Sequence, residues 1–166
     1  MTKPGLALIL RAVHDGEADL EKHLHVIAQR HRTDHEVRHV AVDLARWSLQ
    51  NRQALAPLAD TDGSALAQDQ DPQVPSKALA GVRERTVEML GRGSVPGLLL
   101  LHDLRELYLM ASGNSVYWTM LGQAAQSSND SDLLDIVTKC HGRTMRQAVW
   151  CNATIKTLSA QALTSL

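Results

Sequence analysis

Along most of the chain, apolar residues recur at alternating steps of three and four, the spacing that gathers side chains on one face of an α-helix. The first such run is Leu6, Leu10, Val13, Glu17, Leu20, Leu24, Ile27 and His31, and it predicts a helix over about 5–31. The second, Val37, Val40, Leu44, Trp47, Asn51, Leu55 and Leu58, predicts a helix over about 34–58, with Thr33 and Glu36 spaced as a capping box at its start. A third helix is expected over about 96–127, with the seam Leu101, Leu104, Tyr108, Ala111, Ser115, Trp118, Gly122 and Ala125. Pro96 suits its first turn and Ser94 a cap before it. The fourth, over about 132–160, carries Leu134, Val137, His141, Thr144, Ala148, Cys151, Ile155 and Leu158.

The links between these segments set the topology. Two or three residues join the first pair and a polar turn, Ser127–Ser131, joins the second, so each pair folds back as an antiparallel hairpin. Between the hairpins the pattern breaks at Asp60, Asp62, Gly63, Asp69, Asp71, Pro72 and Pro75. A shorter helix is expected over about 76–91, stopped by Gly91 and Gly93. That connection is long enough to travel the length of a bundle. The expectation is one all-α domain over 1–166: a four-helix bundle of two hairpins joined by a long crossover that contains an extra short helix.

Composition narrows the picture. With 44% hydrophobic and 21% charged residues the chain is ordinary globular material, and its formal net charge is −1. Phe is absent and Trp47, Tyr108, Tyr117, Trp118 and Trp150 are the only aromatics, so the core must be Leu, Val, Ala and Ile, which suits helices. Balanced charge and few aromatics argue against nucleic acid as a partner. No apolar stretch approaches a membrane span, and the Leu6–Leu10 run is broken at Arg11 and His14, too soon for a signal peptide. Cys140 and Cys151 lie roughly 16 Å apart along one helix, beyond disulfide reach. Free thiols suit a reducing compartment, and the expected location is cytoplasmic.

Two polar residues interrupt apolar seams, Glu17 in the first helix and His141 in the last. With a full-length crossover, counting levels along the helices places them opposite each other near mid-bundle, as a polar pair. A buried carboxylate must find a partner or stay neutral by raising its pKa. Trp47, Gln50, Asn114, Tyr117 and Trp118 fall within a turn of that level, as do Gly16, Gly113 and Gly142. Trp47, Asn114, Tyr117 and Trp118 are therefore expected to line a mid-bundle pocket.

A carboxylate and a histidine inside a bundle of this topology resemble the ferritin-like superfamily, the proteins related to bacterioferritin and rubrerythrin. Those proteins place a Glu on each of two helices and Glu-x-x-His on each of the other two. Glu17 matches the first-helix Glu and His141 the fourth-helix His, but Thr138 stands where the accompanying Glu belongs. Glu106 is the candidate on the third helix, about two turns from the level of the pair. The Glu36–His39 motif lies near the hairpin end and is explained by capping, and the second helix offers Trp47 at the expected level. The resemblance thus implies a ferritin-like fold with an incomplete di-iron ligand set. If a metal binds, iron or manganese at Glu17, His141 and Glu106 is the expected arrangement.

Two further clusters merit note. His31, His35 and His102 are expected to converge near one end of the bundle, a second candidate metal position. Glu21, Asp43 and Glu106 would form a cation site if they met at one level, but they read as surface charges paired with Lys22, Arg46 or Arg105. No phosphate loop, nucleophile elbow or Cys-x-x-Cys is present, so no catalytic residue is assigned.

Three functions follow as expectations. The first is a structural, interaction or stress-related protein without a complete di-iron centre, self-associating as a homo-oligomer, with a dimer built through the Ala-, Leu- and Gly-rich third and fourth helices and their Met110, Met120 and Met145. The second is an iron- or manganese-dependent oxidative-stress protein or enzyme using Glu17 and His141. The third is a small-ligand binder with a pocket of Trp47, Tyr117 and Trp118.

Overall fold

A computed structural model of the chain describes residues 4–60 and 96–164. The short helix expected over 76–91 lies outside the described residues. Four long helices account for almost all of what is described: α1 (Pro4–Arg30), α2 (His35–Asp60), α3 (Pro96–Ser128) and α4 (Ser131–Thr164). Each matches a predicted segment to within a few residues at its ends. No helix among the described residues is long and apolar enough to cross a membrane.

Local chemistry marks the helix ends. Asp34 caps α2, its Oδ1 accepting the Val37 N–H at 3.0 Å; the expected cap at Thr33 is thus one residue early. Asp130 caps α4 in the same way through the Leu133 N–H at 2.9 Å. Between α3 and α4, Asn129 adopts the left-handed conformation (φ 53°). The Asp130 N–H reaches back to the Ala125 carbonyl at 3.0 Å, which closes α3 in a Schellman turn. Asn tolerates that conformation better than most side chains, so the turn is encoded in the residue that makes it.

The packing order follows from the contacts. α1 packs on α2 and α3, and α4 packs on α2 and α3, so α1 and α4 are diagonal to each other, as are α2 and α3. Residue pairs across each neighbour run in opposite directions: Arg30 and Glu17 of α1 meet Asp103 and Asn114 of α3, and Ser48 and Asn51 of α2 meet Gln147 and Thr144 of α4. All four neighbour pairs are therefore antiparallel. α2 ends at the end of the bundle opposite to the one where α3 begins.

Two hydrophobic clusters fill the interior. One gathers Leu20, Leu24, Ile27, Val37, Leu44, Leu100, Leu104, Leu107 and Cys151, among others. The other is built from Leu10, Val13, Leu55, Trp118, Leu121, Leu133, Val137 and Cys140 with their neighbours. Between them every helix contributes polar side chains that are at most 4% exposed: Glu17 from α1, Ser48 and Asn51 from α2, Asn114 from α3, and Thr144 and Gln147 from α4. This polar layer cuts the core at mid-height.

The buried seams of α1 and α2 follow the expected positions closely, although Trp47 and Val40 are only partly buried, and Ala41, Ala45 and Ser48 take the centre of the α2 face. α3 and α4 bury most of their expected seams, Leu104, Ala111, Trp118, Gly122 and Ala125 on α3 and Val137, Thr144, Ala148 and Cys151 on α4, and depart from them at single positions. α3 buries Leu100, Asp103, Leu107, Asn114 and Leu121, leaving Tyr108 38% exposed. α4 buries Cys140 and Gln147 beside the expected Thr144, and His141 lies at the rim.

Candidate functional site

Glu17 is fully buried at the centre of the polar layer. Three donors from two helices converge on its Oε1: the Thr144 hydroxyl at 2.6 Å, the Asn114 amide at 2.8 Å and the Trp118 indole N–H at 2.8 Å. Its Oε2 is buried with no hydrogen-bond partner. Burial pushes the carboxyl pKa above its ordinary value, opposed by the hydrogen-bonding side chains of Thr144, Trp118, Ser48 and Asn51. The two influences oppose each other: burial disfavours the anion, the three donors on Oε1 favour it, and burial is the larger.

A second tier of bonds fixes the first. The Asn51 amide donates to the Thr144 hydroxyl at 3.4 Å and to the Cys140 carbonyl at 3.3 Å, while Arg143 reaches the Asn51 Oδ1 at 3.3 Å from the edge. Gln147 donates to Ser48 Oγ at 2.8 Å and to the Leu44 carbonyl at 3.0 Å. Glycine makes room for this arrangement at one point. A Cβ on Gly16 would overlap the Asn114 side chain, so the close approach of α1 to α3 depends on its absence. Gly113 and Gly142, which the sequence places at the same level, have open space beside them.

The expected Glu17–His141 pair is not formed. His141 is only half-buried, its Nε2 lies 2.9 Å from Ser115 Oγ, and burial lowers its pKa. The reason is angular: α4 turns Thr144 inward, and His141 lies about 60° around the helix from it. The four residues expected to line one pocket also separate. Asn114 and Trp118 touch Glu17, whereas Trp47 stacks under the Arg146 guanidinium (5.9 Å to the ring centroid) and Tyr117 is 41% exposed.

Glu106 sits away from this layer, paired with Arg105 at 2.6 Å. Glu21 pairs with Arg52 at 2.7 Å and Asp43 with Arg46 at 3.1 Å. Among the described residues no group of three or more His, Cys, Asp or Glu side chains is placed to hold a metal ion. Neither the Glu17, His141 and Glu106 set nor the His31, His35 and His102 set comes together as a ligand cluster. Burial pushes the Cys140 thiol up to about 11 and the Cys151 thiol up to about 12, so both behave as packing groups.

Near the end of the bundle lies an ion-pair cluster that the sequence did not reveal. Asp103 of α3 is 2% exposed. It is held by His31 Nε2 at 2.7 Å and by the Arg30 guanidinium at 2.7 Å. Burial alone would raise its pKa, but the hydrogen bonds and charges of His31 and Arg30 outweigh that and hold it below the usual carboxylate value. His31 and His35 also line a cavity of about 630 Å³ with Thr33, Asp34, Leu100 and Gln161, and His102 is not among its lining residues. His31 therefore serves as a clasp from the α1–α2 turn to α3, with one ring nitrogen already committed. Comparison with known proteins adds no relative: no family model, curated protein or solved structure matches this chain.

Proposed function

We propose that this chain is a ferritin-like helical protein whose mid-bundle position is occupied by hydrogen bonds rather than by a di-iron centre, and that it works as a structural or interaction protein through its outer surfaces. The opposite placement of the α2 end and the α3 start supports a crossover of the ferritin-like kind. The observation that carries the rest is the set of donors on Glu17 Oε1. An amide N–H, an indole N–H and a hydroxyl occupy the space from which further carboxylate and imidazole ligands would have to approach a metal. Donors aimed at a carboxyl compete with a cation for the same lone pairs, and the neighbouring residues offer no replacement. The residues present do not fit a di-iron pair, and no reaction step is assigned to one.

Elemental analysis of protein purified without an affinity tag or chelator tests this reading. Iron, manganese and zinc are expected well below one equivalent per chain, before and after anaerobic iron loading. Metal near one equivalent, lost in a Glu17→Ala variant, would overturn it.

A further inference from the structure

We infer that the outer face shared by α3 and α4 is the interface of a homodimer, with a second copy of this chain packed against it across a twofold axis. The inference rests on the reading of the chain as an interaction protein and names its partner. α3 has no charged residue from Leu107 to Asn129, on any side. A helix that carries no charge on any side and exposes large apolar side chains marks an interaction surface. The bundle covers only one side of it and leaves Leu109 (48%), Val116 (52%) and Met120 (47%) exposed along its outer stripe. α4 continues the face with Met145 (44%) and Val149 (63%). The Ser115 hydroxyl reaches the Met145 sulfur at 3.0 Å, which joins the two stripes into one surface.

Size and charge select a second copy as the occupant. At 1.5 Å per residue the uncharged length of α3 spans roughly 34 Å, and two packed helices are about 20 Å wide. The product, roughly 700 Å², is close to the ~800 Å² per partner of a standard interface. A twofold axis sets this surface against itself, where a charged face would meet its own charges. The α3 stripe has none to meet, and Arg146, the nearest cation on α4, is turned to the Trp47 ring. Gly113 and Gly142 add no side chains that would keep the two copies apart. A membrane surface would call for a basic rim around such a face, which α3 lacks over this length.

Sedimentation equilibrium on the full chain tests the inference, with Val116→Lys and Val149→Lys variants and a control, Leu8→Lys, at a 67% exposed position on α1. The wild type should sediment at twice 18.2 kDa. Each lysine on the face enters the interface twice, so either variant should weaken association by roughly a hundredfold or more. Because both positions are exposed, far-UV circular dichroism should be unchanged, and the control should remain dimeric. Should a lysine variant fold poorly, Met120→Cys provides an independent readout through cross-linking between copies by a short bifunctional maleimide. A monomeric wild type at tens of micromolar, or a dimer disturbed by Leu8→Lys and not by the α3–α4 variants, overturns the inference. Neither outcome touches the metal analysis, so the proposed function and this interface fail separately.

Discussion

Glu17→Gln separates a neutral Glu17 from an ionised one. Gln keeps the carbonyl oxygen that accepts from Thr144, Asn114 and Trp118, and it places an amide where the unpartnered Oε2 now lies. One stranded buried donor costs about 1–3 kcal/mol. For a chain of this size that is a melting-temperature loss of about 2–10 °C. The decisive quantity is how the loss changes with pH. With a folded pKa raised above 4.5, the native state retains a proton that the unfolded chain has released, so wild-type stability falls as pH rises through the interval between the two values. The slope in that interval is at most about 1.4 kcal/mol per pH unit. Gln has no proton to lose, so the wild-type advantage should be largest near pH 5 and shrink toward pH 8. Urea denaturation of both proteins at pH 5, 6, 7 and 8 measures it. An advantage that stays constant or grows over that range means an ionised Glu17 and refutes the reasoning.

Two other perturbations test neighbouring parts of the structure. Asp103→Ala leaves Arg30 and His31 without their shared carboxylate and should cost about 3–5 kcal/mol at pH 7 by denaturant titration. Because the folded pKa of Asp103 is depressed, its contribution is whole above 3.8 and is lost only as pH falls through the folded value, so the gap to wild type should hold from pH 7 down to about pH 3.8 and narrow below it; a gap that already narrows between pH 7 and pH 5 would count against an ionised Asp103. Gly16→Ala, which on helix propensity alone would stabilise by up to ~1 kcal/mol, should instead destabilise by about 1–3 kcal/mol through displacement of the Asn114 amide. A rise in melting temperature for that variant would show that Asn114 gives way freely.

The helices and both hairpins were legible because their apolar spacing and turn residues agree. The α1 seam was read correctly from Leu10 to His31 because its other faces are charged. α3 was ambiguous in its first half for the opposite reason: Leu100 and Leu101, and Leu107 and Tyr108, are adjacent apolar pairs, so spacing could not choose between the Leu101–Tyr108 face and the Leu100–Leu107 face. On α4 the expected Val137, Thr144, Ala148 and Cys151 are buried, and the departure is confined to one turn, where Cys140 faces inward and the adjacent His141, about 100° around the helix, does not. Thr144 was legible as an inward residue, but a hydroxyl is a weaker signal of a partner for Glu17 than an imidazole one turn away. Asp103 was missed since a charged residue in a helix usually faces water. A signal was present, because His31 ends the α1 seam at the level where the start of an antiparallel α3 must lie, and a polar residue there needs a partner. Ser48 and Gln147 left no comparable trace, since either is at home on a surface.

The polar layer also bears on how the four helices find their lengthwise alignment. Seams of Leu, Val and Ala repeat almost identically every turn, so sliding one helix by about 5.4 Å sets one apolar row against another at modest penalty. Glu17 Oε1 has no such near-equivalent position. It is bound at once by α3 and by α4, the helix diagonal to its own, and one turn of slippage of either breaks those bonds inside a buried layer. A single oxygen atom thus acts as the index mark against which three helices are set.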